Sequence, residues 1–221
     1  MANRQAVTAR LEQILTGRSP KRILLLSAAS NSGKTHLLAQ LRAYAKLLQI
    51  PHASLDCKGD LPLDELINLI ALDLQDLLVT TQPANSTMRR VNLISDLQHL
   101  SQPVLLSFDT FEQASAPAKN WIENQLLPRL DEAPGVVAVL AGQQVPERTK
   151  QMWSGLAEEM KLEAITRASD WLEYTQRKWH PNVKLDHIEA LTLATNGNPG
   201  QLSALLETMM SGFLKVSAGA E

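Results

Sequence analysis

A chain of 221 residues in which 44% of the side chains are hydrophobic can bury a full core, either as one α/β domain or as one domain with a small appendage. Its formal net charge of −2 gives no electrostatic indication of a dedicated nucleic-acid binder. The single cysteine, Cys57, cannot form an internal disulfide, no signal-like segment opens the chain, and the apolar runs are far shorter than a membrane span, so we expect a cytoplasmic protein.

Apolar periodicity predicts that helices and strands alternate over most of the chain. In chain order the prediction is a helix at 2–16, a strand at 23–26, a helix at 37–48, a strand at 53–57, a helix at 63–79, a loop at 80–86, a helix at 91–100, a strand at 104–108, a helix at 118–130 and a strand at 136–141. Strands that alternate with helices of this length indicate crossover connections and parallel pairing.

From residue 163 onward the pattern predicts helices alone, at 170–179, 186–194 and 201–213. His180-Pro181 is predicted to break the first of them, which would therefore end at Trp179. The small and polar residues from Lys215 onward predict a disordered tail.

The strongest chemical signal lies between the first strand and the second helix. This stretch reads Ala28-Ala29-Ser30-Asn31-Ser32-Gly33-Lys34-Thr35 and follows the apolar run at 23–26. A small-residue turn at this place lets successive backbone N–H groups and the next helix N-terminus face one anion. Gly33 allows close approach of the backbone, Lys34 would reach the β- and γ-phosphates, and the Thr35 hydroxyl would join a Mg²⁺ shell.

The stretch is thus predicted to bind nucleotide phosphates, although one feature leaves an alternative open. Ala28 stands where the usual pattern has its first glycine, and its Cβ excludes most positive φ values. The alternative interpretation is a plain turn between a core strand and a surface helix. The residues predicted to contact the nucleotide here are Ala29, Ser30, Asn31, Ser32, Gly33, Lys34, Thr35 and His36.

A second signal is the buried-type strand at 104–108, which is followed directly by Asp109. A carboxylate at the carboxyl end of a parallel strand lies where ligands bind in such sheets, and it can hold the water shell of Mg²⁺ opposite Thr35. Glu112, three residues further on, is a candidate for polarising an attacking water. Its alternative role is an ordinary acidic residue in the first turn of a helix.

Three further segments carry a resemblance: "LLSFDTFEQ" at 105–113, "WIENQLLPRLDEAPGVVAVLAGQQVP" at 121–146 and "LTLATNGNPGQLSALLE" at 191–207. With them, the chain from residue 21 to 210 resembles the STAND branch of the AAA+-related P-loop ATPases, the signal-transduction NTPases of bacterial regulators. The resemblance implies a five-stranded sheet in which a further strand lies between the phosphate-loop strand and its neighbour. It also implies a helical lid, and a nucleotide switch that is reset by slow hydrolysis.

The resemblance assigns roles to individual residues. Lys34 and Thr35 match the Walker A pair, and Asp109 matches the Walker B acid. Glu112 matches an acid that often follows it. The turn at 198–200, with Pro199 as a nucleotide contact, matches the start of the lid helix that closes over the nucleotide. Relatives commonly have Gly-Arg after the strand at 136–141, whereas this chain has Gln143, and loss of that cation can slow hydrolysis steeply.

Together these observations predict a three-layer P-loop NTPase core with a parallel sheet at 1–162 and a small C-terminal helical lid at 163–221. The predicted function is an ATPase module that binds ATP, ADP and Mg²⁺ and acts as a signalling or assembly switch, through a protein partner or self-association. Lys34, Asp109 and Glu112 are its predicted catalytic residues, and Thr35 and Asp109 its metal ligands.

Two other functions stay open. The first is a catalytically inactive nucleotide-binding or scaffold protein, which Ala28 and Gln143 suggest. The second is a small-molecule P-loop kinase, although the segment at 147–161 has few of the arginines that a kinase lid carries. The chain lacks the Asn-Lys-x-Asp motif of GTPases, which favours adenine over guanine.

Overall fold

The computed structural model describes residues 4–81, 85–149, 151–178 and 183–218. Its contacts divide the chain into two units. The larger, here called the α/β unit, consists of Ala6–Ala28 and Lys34–Lys161. The smaller, here called the helical unit, consists of Met1–Gln5, Ala29–Gly33 and Leu162–Glu221. Residues 29–33 of the predicted phosphate loop therefore group with the helical unit, whereas Lys34 groups with the α/β unit.

The α/β unit is built on a five-stranded parallel sheet. Its strands are β1 (Ile23–Ser27), β2 (His52–Asp56), β3 (Val104–Asp109), β4 (Val136–Gly142) and β5 (Ala157–Lys161). They are arranged in the order β2-β3-β4-β1-β5, so β4 lies between β1 and β3. This order confirms both the α/β P-loop fold class and the inserted strand that the resemblance implied.

The helices of this part of the chain lie between the strands in sequence. They are α1 (Gln5–Leu15), α2 (Lys34–Leu47), α3 (Leu63–Asp73), α4 (Ser86–Gln98), α5 (Ala116–Trp121) and α6 (Leu127–Arg129), with a π-helical stretch, Ile122–Leu126, joining the last two. The described residues of this part of the chain also form two 3-10 helices, Phe111–Gln113 and Met152–Leu156. Consecutive residues of β1, β3 and β4 are buried, so both faces of the central sheet are covered, as a three-layer core requires.

The sequence pattern missed β5 and misplaced several helix ends. β5 reads Ala-Glu-Glu-Met-Lys and pairs with β1 alone, at the edge of the sheet, so its charged residues stay partly exposed and its apolar signal is weak. Regular helix α3 ends at Asp73 rather than at residue 79. Helix α4 begins at Ser86, five residues before its predicted start, because the Asn85 side chain caps it by accepting from the Met88 N–H at 3.0 Å.

The helical unit contains α7 (Ala168–Lys178), α8 (Leu185–Ala194) and α9 (Pro199–Ala218). A small apolar core of its own holds these helices, and its buried members are Ile165, Ala168, Trp171, Ile188, Leu202 and Leu206. Helix α9 continues past Lys215 to Ala218, where the sequence predicted a disordered tail. The predicted break at His180-Pro181, with Trp179, lies outside the described residues. Within the described ranges, no helix is both long and apolar enough to cross a membrane.

Candidate functional site

In the α/β unit, Lys34 lies at the junction between β1 and α2. The Ala28 N–H donates to the Gly142 carbonyl at 3.0 Å, which links the start of the predicted phosphate loop to the end of β4. The Lys34 ammonium donates to the Ala28 carbonyl at 2.9 Å. Burial lowers the pKa of Lys34, and the charges of Glu112 and Asp109 oppose this shift. The structure thus brings the predicted Walker A lysine into the field of both predicted acids.

Asp109 and Thr35 share one cavity of about 130 Å³ in the α/β unit. Asp109 is buried at the end of β3, and its carboxylate accepts from the Thr110 N–H at 2.8 Å. Among the described residues there is no group of three histidine, cysteine, aspartate or glutamate side chains suited to a metal ion. Magnesium sites often use only one or two protein ligands, with water and substrate phosphate completing the shell, so a hydroxyl and a carboxylate on one cavity fit this ion.

The same cavity contains a second carboxylate that the sequence analysis did not select. Asp56 ends β2 as Asp109 ends β3, and the two residues are paired in the sheet register. Two residues earlier, the Ser107 hydroxyl donates to the Ser54 hydroxyl at 3.0 Å, which links the two strands next to the cavity. The signal for Asp56 was the carboxylate at the end of the β2 segment, and only strand pairing shows that it lies beside Asp109.

Glu112 lies in the 3-10 helix that follows β3. The chain turns into this helix through Thr110, which has a φ of 55°. The Glu112 carboxylate accepts from the Gln143 N–H at 3.0 Å, and its backbone carbonyl accepts from the Lys119 ammonium. A Cβ at Gly142 would collide with the Glu112 carboxylate and would lie 2.6 Å from the Gln144 carbonyl. Glycine at 142 is therefore needed for this arrangement.

In the helical unit, residues 29–33 form a loop with two left-handed positions, Asn31 (φ 58°) and Gly33 (φ 84°). Three successive carbonyls of this loop accept hydrogen bonds. The Asn198 amide donates to Ser30 O at 3.4 Å, and the Gly200 N–H donates to Asn31 O at 2.8 Å. The Arg4 guanidinium donates to Ser32 O at 3.2 Å. Successive N–H groups around left-handed positions are the geometry of an anion-binding nest.

Arg4 is a buried cation, with 8% of its surface exposed. Its guanidinium also donates to the Glu163 carbonyl at 3.0 Å. Burial lowers the pKa of Arg4, and the Glu163 charge opposes the shift. The sequence analysis missed Arg4, because a single arginine ahead of an amphipathic helix carries no distinguishing signal.

Pro199 is buried at the first position of α9, where proline is well tolerated. It lines a cavity of about 310 Å³ together with Ala29 and Ser32. The Asn198 carboxamide oxygen accepts from the Gly200 and Gln201 N–H groups, each at 3.1 Å, and so caps the helix. His36 is exposed in the first turn of α2. Of the predicted site residues, the structure thus places Lys34, Thr35, His36, Asp109 and Glu112 in the α/β unit, and residues 29–33 and Pro199 in the helical unit.

No family model and no curated protein matches this chain. Several solved structures do match it. A STAND protein with a tetratricopeptide repeat sensor from Pyrococcus horikoshii matches with a TM-score of 0.62 and 14% identity, over 90% of this chain and 29% of that one. The ORC2 protein of Aeropyrum pernix, in ADPNP-ADP complexes, matches with a TM-score of 0.68 and 15% identity, over 99% of this chain and 64% of that one.

The Drosophila ORC bound to AT-rich DNA and Cdc6 matches with a TM-score of 0.53 and 15% identity, over 73% of this chain and 54% of that one. The chain thus has the fold of the AAA+-related P-loop NTPases, and it spans less than two thirds of the length of each of these neighbours.

Proposed function

We propose that this chain is a STAND-like P-loop ATPase module that binds Mg-ATP and Mg-ADP, hydrolyses ATP slowly and works as a cytoplasmic signalling or assembly switch. The observation that carries the proposal is the position of Lys34. Its ammonium is partly buried, bonded to the Ala28 carbonyl at 2.9 Å and under the charges of Glu112 and Asp109. A partly buried cation near one acid at the end of β3 and a second acid in the 3-10 helix that follows is suited to transferable phosphate and a divalent metal.

Each residue has a role in this proposal. The Lys34 ammonium offsets charge on the β- and γ-phosphates, and the N–H groups of 29–33 hold the phosphate oxygens. Thr35 and Asp109 hold Mg²⁺, which would supply charge neutralisation in the transition state. Glu112 orients the attacking water. Pro199 contacts the nucleotide, and His36 lies beside the phosphates.

The contacts of the predicted phosphate loop support the switch role. Within the helical unit, residues 29–33 bond to Asn198 and Gly200 at the start of α9, so the segment proposed to hold the phosphates contacts that helix. A signalling switch needs a binding partner that responds to its nucleotide state. We therefore propose that the chain binds a protein partner or a second copy of itself. Structural neighbours that form complexes with nucleotide and with other proteins support this view.

A second candidate is a module that binds nucleotide without hydrolysing it and acts as a scaffold. The observation that favours it is the hydrogen bond from the Gln143 N–H to the Glu112 carboxylate. This bond occupies part of the group that should orient water, and the neutral Gln143 side chain adds no charge to stabilise the transferring phosphate. The two candidates differ in hydrolysis, not in binding.

The test is calorimetric titration with ATP and ADP, with and without Mg²⁺, followed by phosphate release on the same samples. Lys34→Ala should abolish binding, whereas the control Lys46→Ala, an exposed lysine in the last turn of the same helix, should bind as the wild type does. Phosphate release at even a slow rate supports the ATPase. Binding without release supports the second candidate. If the wild type binds neither nucleotide, both are refuted.

A further inference from the structure

We propose that Arg4, Asn198 and Gly200 are positioning residues that hold the phosphate loop in its anion-binding shape before nucleotide arrives. This inference rests on the proposed function, since it concerns the loop that would bind the phosphates. It assigns a role to residues outside the phosphate-binding motif itself.

The argument starts from the peptide planes of the loop. In a trans peptide, the carbonyl and the following N–H point in opposite directions. Donors that hold the carbonyls of Ser30, Asn31 and Ser32 therefore fix the direction of the N–H groups of the next three residues. Those N–H groups belong to Asn31, Ser32 and Gly33, which are the donors that a bound phosphate requires.

Backbone strain explains why such an external hold is needed. Asn31 has a φ of 58°, a left-handed conformation that is uncommon for a residue with a side chain. In a short loop this conformation competes with ordinary turns, and hydrogen bonds from outside the loop select it. Arg4 contributes a charge-assisted bond from a buried side chain, which is stronger than a neutral one.

Gly200 adds a steric requirement. Its N–H donates to the Asn31 carbonyl at 2.8 Å, and a Cβ on residue 200 would lie 2.8 Å from the Asn31 Cβ and 3.0 Å from the Asn31 oxygen. Only glycine allows this approach. An alanine would favour the helix by its propensity but would push the loop away, so its effects on the helix and on the loop should have opposite signs.

The first experiment uses the full chain and inorganic tripolyphosphate, which probes the loop without a base. We expect Arg4→Met to weaken tripolyphosphate and ATP binding about tenfold, as expected for loss of one charge-assisted hydrogen bond. Arg4→Lys should restore part of the loss, because an ammonium still donates to a carbonyl. The control is Arg10→Met, which removes a half-buried arginine bonded to Glu158 in the α/β unit; its affinity should equal that of the wild type.

The second experiment uses Gly200→Ala, with Gly155→Ala as the matched control because nothing lies within 4 Å of a Cβ at residue 155. We expect Gly200→Ala to weaken tripolyphosphate binding about tenfold, because the added Cβ displaces the Asn31 carbonyl from the residue 200 N–H. Gly155→Ala should leave the affinity unchanged.

The outcomes distinguish a failure of this inference from a failure of the proposed function on which it rests. If the wild type binds tripolyphosphate, and Arg4→Met and Gly200→Ala each bind it with the affinity of the wild type, the inference is overturned and the proposed function stands. If Arg4→Lys binds no better than Arg4→Met, the role of Arg4 as a carbonyl donor is refuted. If the wild type binds neither tripolyphosphate nor ATP, the proposed function fails and the inference with it.

Discussion

Asp96 in α4 holds the segment ahead of that helix, and removing its charge should destabilise the α/β unit. Its carboxylate accepts from the Thr80 N–H and hydroxyl and from the Thr81 N–H and hydroxyl, with the shortest distances between 2.7 and 2.9 Å. Asp96 is 8% exposed and Thr81 is fully buried. No water can therefore replace the carboxylate as the acceptor for Thr81 without rearrangement.

The size of the effect follows from the donors left unpaired. Asp96→Asn keeps the shape of the side chain and one acceptor oxygen. Its NH₂ group replaces the other oxygen and, being a donor itself, cannot accept from the threonine N–H and hydroxyl groups. Leaving the Thr81 N–H and hydroxyl without an acceptor costs about 1–3 kcal/mol each, and with partial relaxation we expect a loss of about 3 kcal/mol. With a urea slope of about 2 kcal/mol/M, the midpoint should fall by about 1.5 M.

The pH dependence gives an independent check. Burial raises the pKa of Asp96, but the hydrogen bonds from Thr81 and Thr80 outweigh it, so the pKa is lowered overall. A lowered folded-state pKa means that the stabilisation is complete above the unfolded-state value of about 3.9 and is lost as the pH falls through the folded-state value. The difference in free energy of unfolding between wild type and Asp96→Asn should thus be constant from pH 7 to 5 and become smaller below about pH 4.

The assay is urea denaturation of wild type, Asp96→Asn and the control Asp76→Asn, an exposed aspartate, at pH 7, 5 and 3.5. The control should differ from wild type by less than about 0.5 kcal/mol. If Asp96→Asn behaves like the control at pH 7, the hydrogen bonds do not stabilise the fold as argued. A gap that stays constant down to pH 3.5 would refute the lowered pKa.

Two further predictions concern glycines whose neighbours leave no room for a side chain. Gly197→Ala should destabilise the helical unit by about 3 kcal/mol, because residue 197 has a φ of 67° and its Cβ would lie 2.6 Å from the Ile165 carbonyl; thermal unfolding checks this, and an unchanged midpoint would contradict it. Gly142→Ala should displace the Glu112 carboxylate and cost about 1–3 kcal/mol, whereas Gly155→Ala should be neutral in the same urea titration. Equal midpoints for these two variants would show that Glu112 moves aside without strain.

Much of the fold was predictable because its signals are local. The apolar runs that became β1, β3 and β4 are buried on both faces, so each is nearly continuous in sequence and easy to recognise. The signal that predicts the phosphate loop is equally local, since phosphate-binding chemistry needs small residues, a lysine and a threonine in one stretch. Edge strand β5 was missed for the opposite reason, because its exposed residues carry charges that hide the strand pattern.

The sequence by itself determined the class of fold, and it predicted a phosphate loop with Lys34, Thr35 and Asp109 as one set of site residues. Only the tertiary structure decided which side chain lies beside Asp109 in the α/β unit and which side chain contacts residues 29–33 in the helical unit. Asp56 lies beside Asp109 because β2 and β3 pair in that register. Arg4 contacts Ser32, which is 28 residues further along the chain. Such neighbours are set by the packing of distant segments, and no periodicity or short motif encodes a contact between residues that are far apart in the chain.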